Sequence, residues 1–233
     1  MKKLLVCIVL SFTTLMFSFA GDAAAFLDIG FSSDGKTYIF GEYGKIDKKF
    51  QAWAEIYTVD IAKNEYVPHE VYITKPSKAT ASLSGKKTFD ELKLKASASI
   101  NKYNCTPYKV ENLLYVKEGT SVTNDIRFQD FDASSADSDV FYHIQLVPTY
   151  KGKGKNVSSK YYISMQQEDE NGTVLKSWKL GNPDYERKGV SLYQVERIFT
   201  DETKTSLVFV IQKTLEDDTG SSIRYMVETV KLK

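Results

Sequence analysis

The sequence predicts a mainly β protein built from antiparallel meanders in a propeller-like arrangement, with a β-sandwich or curved open sheet as the rival and one α-helix inserted near residues 88–103. Three observations predict it. The 233 residues include 15 Tyr and 13 Phe among many Val, Ile and Thr, a composition suited to twisted, half-buried strands. Strand-length segments alternate with turn chemistry along most of the chain. The beginning is also echoed, without a gap, near the end. FSSDGKTYIF (Phe31 to Phe40) and IYTVDI (Ile56 to Ile61) align at a constant offset of 168 with FTDETKTSLV (Phe199 to Val208) and RYMVET (Arg224 to Thr229). This sets Phe31 on Phe199, Tyr57 on Tyr225, Val59 on Val227 and Asp60 on Glu228, as expected of one supersecondary unit used twice.

In chain order, the first expected strands are Ala25 to Phe31, Thr37 to Tyr43, Trp53 to Ile61 and Glu70 to Thr74. Ser33-Asp34-Gly35 turns the first pair: Asp34 can bond its own turn, and Gly35 takes the left-handed conformation without steric cost. A Ser-, Ala-, Thr- and Lys-rich linker, Lys75 to Lys87, leads to the helix. Thr88 followed by Glu91 forms a capping box. Phe89, Leu92, Ala96, Ile100 and Tyr103 recur at helical spacing, and Asn104 and Pro107 stop the run. Leu92, Leu94, Ala96, Ala98 and Ile100 also alternate as in a strand, but the box and the stop signals favour helix. Beyond it come Asn112 to Lys117, Asp125 to Phe131, Val140 to Tyr150, Lys160 to Gln167, Val174 to Leu180, Ser191 to Thr200, Ser206 to Leu215 and Ser222 to Leu232. Ala133 to Asp139 reads as a second exposed linker. Asn171-Gly172, Asn182-Pro183 and Asp217 to Gly220 are the later turns.

The N-terminus has the pattern of a secretory signal. Lys2 and Lys3 precede an apolar run from Leu4 to Phe17, and Ser18-x-Ala20 offers small residues for cleavage, so residues 1–20 are read as a signal peptide and 21–233 as a single mainly β domain. The run is too short for a membrane span, which needs about 20 residues. Leu4-Leu5-Val6-Cys7 superficially resembles a lipoprotein box, but only three apolar residues precede Cys7. Cleavage removes two of 31 basic residues, leaving 29 against 30 acidic ones. That balance provides no field for nucleic acid, and no membrane insertion is expected after cleavage. Cys105 would be the only cysteine left, so no intrachain disulfide can form.

The Phe31 to Phe40 segment, closed by Tyr57-Thr58-Val59-Asp60, resembles the repeats of Tol-type periplasmic β-propellers. The offset of 168 would hold four blades of 42 residues. The second copy departs from the pattern, with Glu202-Thr203 where Asp-Gly would stand. The chain as a whole resembles a bacterial family of predicted secreted proteins of unknown function. The residues that carry this are Gly21-Asp22-Ala23-Ala24-Ala25-Phe26, the Gly30 to Gly44 turn motif, the central helix and Arg224-Tyr225-Met226-Val227. The resemblance implies export and brings no activity.

Candidate chemistry is sparse. His69 and His143 are the only histidines, and neither has a ligand partner at close spacing. No nucleophile elbow or phosphate loop is present. Asp130, Asp132, Asp137 and Asp139 are the best metal candidates, since calcium takes several oxygen ligands from a flexible loop; their spacing fits no EF-hand, and a solvated connection explains them as well. Lys151, Lys153 and Lys155 could meet an anionic partner or simply keep a hairpin tip soluble. Tyr142, Tyr150, Tyr161 and Tyr162 could form a sugar- or peptide-binding platform or pair across strands. No cofactor is expected. The reading is therefore an exported envelope protein that binds an unknown envelope protein or glycan without catalysis. The alternative is an exported hydrolase whose carboxylates are scattered in sequence.

Overall fold

The computed structural model describes residues 22–46, 49–119, 122–218 and 220–232; the signal peptide, Cys7 and the expected start at Gly21 lie outside the described residues. Among the described residues every pairing between the strands named below is antiparallel, and a single parallel bridge joins Ala23 to Ile223. β1 (Ala25–Phe31), β2 (Thr37–Ile46), β3 (Gln51–Asp60) and β4 (Glu65–Thr74) form a first sheet in that order. Two helices follow, α1 (Gly85–Lys95) and α2 (Ser97–Tyr103), then β5 (Leu113–Val116). β6 (Asp125–Gln129), β7 (Val140–Lys151) and β8 (Ser158–Asp169) make a second sheet, with β9 (Val174–Leu180) and the short β10 (Arg187–Lys188) both bonded to β8. β11 (Val190–Thr200), β12 (Ser206–Asp217) and β13 (Gly220–Lys231) form a third meander, and β5 joins it beside β11.

The three sheets stack, and the last to appear in the sequence is the middle layer. β12 shows why. Its Leu207, Phe209 and Ile211 enter a core with Ile144, Leu146, Tyr161, Ile163 and Met165 of the second sheet. Its Val208 and Val210 enter another, with Phe31, Tyr38, Phe40 and Val59 of the first sheet. A strand buried on both faces reads as a continuous apolar run rather than an alternating one, and Leu207 to Ile211 is such a run. The far face of the first sheet carries Ile39, Ala54 and Ile56, which pack against Phe89, Leu92 and Ala96 of the helical segment. Gly41 lets the helix come close: a Cβ there would lie 2.3 Å from the Phe89 ring.

The described strands form no closed barrel or propeller. The rival expectation of a sandwich or curved open sheet describes this stack. The terminal segments lie in separate sheets that face each other, with Phe26 5.6 Å from Tyr225 and Phe31 5.9 Å from Phe199, edge to face. Asp22 to Ala24 also bond directly to β13: Ala24 N–H donates to the Ile223 carbonyl at 3.0 Å, and Ile223 N–H to that of Asp22 at 2.8 Å.

The internal echo does not keep its constant offset in the structure. Both phenylalanines are buried, but the hairpins correspond one residue away from the sequence alignment. Ser32 Oγ accepts from the N–H of Thr37 at 2.9 Å, whereas Asp201 Oδ1 accepts from Ser206 at 2.7 Å. The left-handed turn residues are Gly35 and Lys204. Phe31 opposite Tyr38 thus matches Thr200 opposite Leu207, and a one-residue slip moves a side chain to the other face. The third strand departs further. The alignment would carry the pair Phe40 and Tyr57 onto Val208 and Tyr225, yet Val208 faces Thr229 and Tyr225 faces Gln212.

The helix differs in its start and its continuity. Ser84 is the N-cap, its Oγ accepting from Lys87 N–H at 3.1 Å. Thr88 is buried inside the first turns and donates its hydroxyl to the Ser84 carbonyl at 3.0 Å, a bond that serves the helix interior rather than its cap. Ala96 separates the two helices, and Asn104 ends the second in the left-handed conformation.

Candidate functional site

The residues singled out from sequence do not converge. Asp130 is buried and used by its own turn: it accepts from Gln167 Nε2 at 2.7 Å and from the N–H groups of Asp132 and Ala133 at 3.2 Å. Asp132 pairs with Lys204 at 2.6 Å, and Asp139 accepts from Gln129 at 2.7 Å. Asp137 is exposed. Among the described residues no group of three or more His, Cys, Asp or Glu is placed to hold a metal ion. His69 is exposed, with a left-handed backbone. His143 bridges three strands of the second sheet, 2.9 Å from both Asp125 and Glu168, and the bond to Glu168 foremost raises its pKa.

Two of the four platform tyrosines, Tyr142 and Tyr161, are core residues rather than members of an exposed face. Lys151, Lys153 and Lys155 are exposed, and Lys155 pairs with Asp218 at 2.6 Å.

The principal concavity lies where the three sheets meet. It is a cleft of about 780 Å³ walled by Tyr57 and the β3–β4 hairpin, by the β9–β10 connection and by parts of β12 and β13. Its volume falls in the roughly 300–1,000 Å³ range of small-molecule sites. Each wall contributes a distinct kind of group. From the first sheet come Tyr57 and Tyr66, stacked at 4.9 Å. The β9–β10 connection supplies Tyr185 and leads to Arg187, whose guanidinium lies 4.7 Å from both the Tyr185 and Tyr161 rings. From the third sheet come Lys213 and Glu228.

The electrostatics follow from burial. Glu228 is buried and accepts from the Tyr161 hydroxyl and the Asn64 amide. Burial raises its pKa, and those two bonds oppose the rise. Lys213 is lowered by burial, although Glu42 and Glu55 pull it upward. Among the described residues no carboxylate reaches ion-pair distance of Lys213 or of Arg187. Behind the wall, Glu42 on β2 stands directly opposite Glu55 on β3. Glu42 is buried and accepts from Tyr225 N–H at 2.8 Å. Burial pushes its pKa up to about 7, with Lys213 the largest opposing influence. The Glu55 carboxylate accepts from the Tyr57 hydroxyl. Nothing in the residue spacing joined these groups; their trace in the sequence is a single charge within an apolar run of each of three strands, Glu42 in YIFGEYG, Lys213 in FVIQK and Glu228 in MVETV.

Stacked antiparallel sheets around a polar, aromatic-walled cleft define a class, mainly β proteins with a ligand-sized cleft between sheets. Within it the chain finds its family: a family model described as "Predicted secreted protein (DUF2259)" matches residues 39–231, and the chain belongs to that family. Its location is secreted or periplasmic, in keeping with that description, and no described helix is long and apolar enough to cross a membrane. No curated protein and no solved structure matches the chain.

Proposed function

We propose that this protein is a non-enzymatic binding module of the cell envelope or its surroundings, and that the three-sheet cleft is its ligand site. One observation carries the reading. Arg187 and Lys213 wall a ligand-sized cleft with no carboxylate at ion-pair distance among the described residues, beside tyrosines 43% (Tyr66) and 59% (Tyr185) exposed. Cations inside a protein are ordinarily paired, so groups held this way favour an external partner. The test is recovery of bound molecules from an envelope extract, identified by native mass spectrometry. Wild type should retain a defined species, and plugging the cleft with Lys188→Trp or removing a ring with Tyr66→Ala should release it. Equal capture by all three forms would refute the site.

A second reading, an exported hydrolase, draws on the raised pKa values of Glu228 and Glu42, since perturbed carboxylates gather at catalytic sites. Glu42 does not wall the cleft, and its Oε2 serves the Tyr225 N–H. Binding therefore remains the better reading. Ligand recovered chemically unchanged agrees with it; turnover abolished by Glu228→Gln would establish hydrolysis instead.

A further inference from the structure

The charged groups of the cleft narrow the chemistry of its occupant, an argument that rests on the cleft being the ligand site. Lys63, Arg187, Lys188 and Lys213 face Glu65, Glu186 and Glu228 around the walls. Lys63 is already engaged by Asp60 at 3.2 Å. The Arg187 guanidinium donates a long hydrogen bond of 3.5 Å to the Tyr185 carbonyl and a second to the Tyr193 hydroxyl, and it lies 4.7 Å from two ring centroids. Most of its five donors are therefore free, and a guanidinium fork matches a carboxylate with two parallel bonds. Lys213 makes no hydrogen bond among the described residues. It stands in the opposing fields of Glu42 and Glu55, which favour its charge, and of Arg187 and Arg224, which disfavour it. Arg224 is neutralised by Asp22 at 2.7 Å, and the Tyr57 hydroxyl serves Glu55. With Lys63 engaged and Lys188 exposed to solvent, the half-buried Arg187 and Lys213 are the two cations left for one anionic group.

A lone inorganic anion leaves most of this cleft unused. The remaining walls offer acceptors and rings. Each Glu228 oxygen accepts a single side-chain hydrogen bond among the described residues, Oε1 from the Tyr161 hydroxyl and Oε2 from the Asn64 amide, and a carboxylate oxygen can accept two. Tyr57, Tyr66 and Tyr185 present faces with polar edges. Acceptors for hydroxyls, rings for a C–H face and paired cations for an acid suit one kind of molecule.

We infer that the cleft binds a sugar acid of the hexuronate type, its carboxylate held between Arg187 and Lys213 and its hydroxyls donating to Glu228. Calorimetric or NMR titration of the full exported chain with glucuronate, galacturonate, glucose, galactose, inorganic phosphate and a Glu-Glu dipeptide tests it. A hexuronate should bind at least tenfold more tightly than its neutral hexose and than phosphate. Lys213→Met and Arg187→Gln should each weaken it at least tenfold, while Lys204→Met, remote from the cleft walls, leaves it unchanged. Lys213→Met should also raise the melting temperature of the free protein, because it removes a half-buried cation whose charge is disfavoured by burial and has no carboxylate at ion-pair distance among the described residues. Lower affinity with higher stability separates a ligand-holding lysine from a merely structural one.

Failure to bind either hexuronate overturns the inference, as does equal affinity for the neutral sugar or for phosphate, or preference for the dipeptide. If a neutral sugar or the dipeptide binds and Lys188→Trp blocks it, the acid is refuted while the cleft stands. If Lys188→Trp leaves envelope capture unchanged, the cleft itself is refuted.

Discussion

Replacing Glu42 with Gln should stabilise this protein at alkaline pH and not at acid pH. Glu42 lies 1% exposed between the first and third sheets, directly across from Glu55. Its pKa rises from 4.5 to about 7 on folding. The folded state therefore holds a proton that the unfolded chain releases above about pH 4.5, and a state that binds more protons loses stability as pH rises. The loss runs from the unfolded value to the folded one and is complete above pH 7. At about 1.36 kcal/mol per pH unit, the rise corresponds to roughly 3.4 kcal/mol at most. Glutamine mimics the protonated acid: its amide oxygen can accept the Tyr225 N–H, and it carries no charge to repel Glu55. Urea denaturation of wild type and Glu42→Gln should give a gain of about 2–3 kcal/mol at pH 8 and a difference near zero at pH 4. Destabilisation at pH 8 would refute the reasoning, because it would show that Lys213 and the Tyr225 N–H more than repay the burial of the ionised carboxylate.

Four further outcomes are expected. Gly30→Ala should prevent folding or cost more than about 3 kcal/mol by melting, since Gly30 has φ +125° and a Cβ would lie 2.1 Å from the Thr106 backbone. Asp22→Ala should cost about 3–5 kcal/mol in denaturant unfolding, the loss typical of one partner of a buried pair, because Asp22 pairs with Arg224 at 2.7 Å and accepts from Trp53 Nε1 at 2.9 Å. The His143 bridge should be strongest below the ordinary histidine pKa of about 6.5 and fade as pH rises through its raised folded value; an NMR titration placing that value below the ordinary one would contradict this. Deleting Ser222 to Lys233 should abolish the cooperative melt, because Met226 and Val227 of β13 enter both central cores.

Much of the strand pattern was legible in the sequence, and the reasons it was not everywhere are local. β1 and β9 fall where alternation and turn residues place them. The first half of β4 was missed because Pro68 and the left-handed His69 interrupt it, and the β3–β4 register shifts there, from Val59 opposite Tyr66 to Tyr57 opposite Val71. The helix start was read one turn late because a Thr-x-x-Glu spacing resembles a cap even when its threonine bonds backward into the helix. Layer order left one trace, the Leu207 to Ile211 run, which marks a doubly buried strand but does not say what covers it. The candidate site was least legible, because β2, β10, β12 and β13 bring its charges together from distant parts of the chain. Sequence spacing reports neighbours within one helix or hairpin, and this cleft is assembled between sheets.

The stacking order also bears on how an exported chain can fold. The first sheet and its helices leave a channel well before β11 to β13 do, yet one face of that sheet, with Phe31, Tyr38, Phe40 and Val59, is completed only by the third meander. β5 likewise waits for β11, its only strand partner among the described residues. Pairings between distant segments form slowly, and sticky strand faces left open meanwhile invite misassembly. The middle layer comes last in chain order, so the inner face of the first sheet has no cover until β11 to β13 are present.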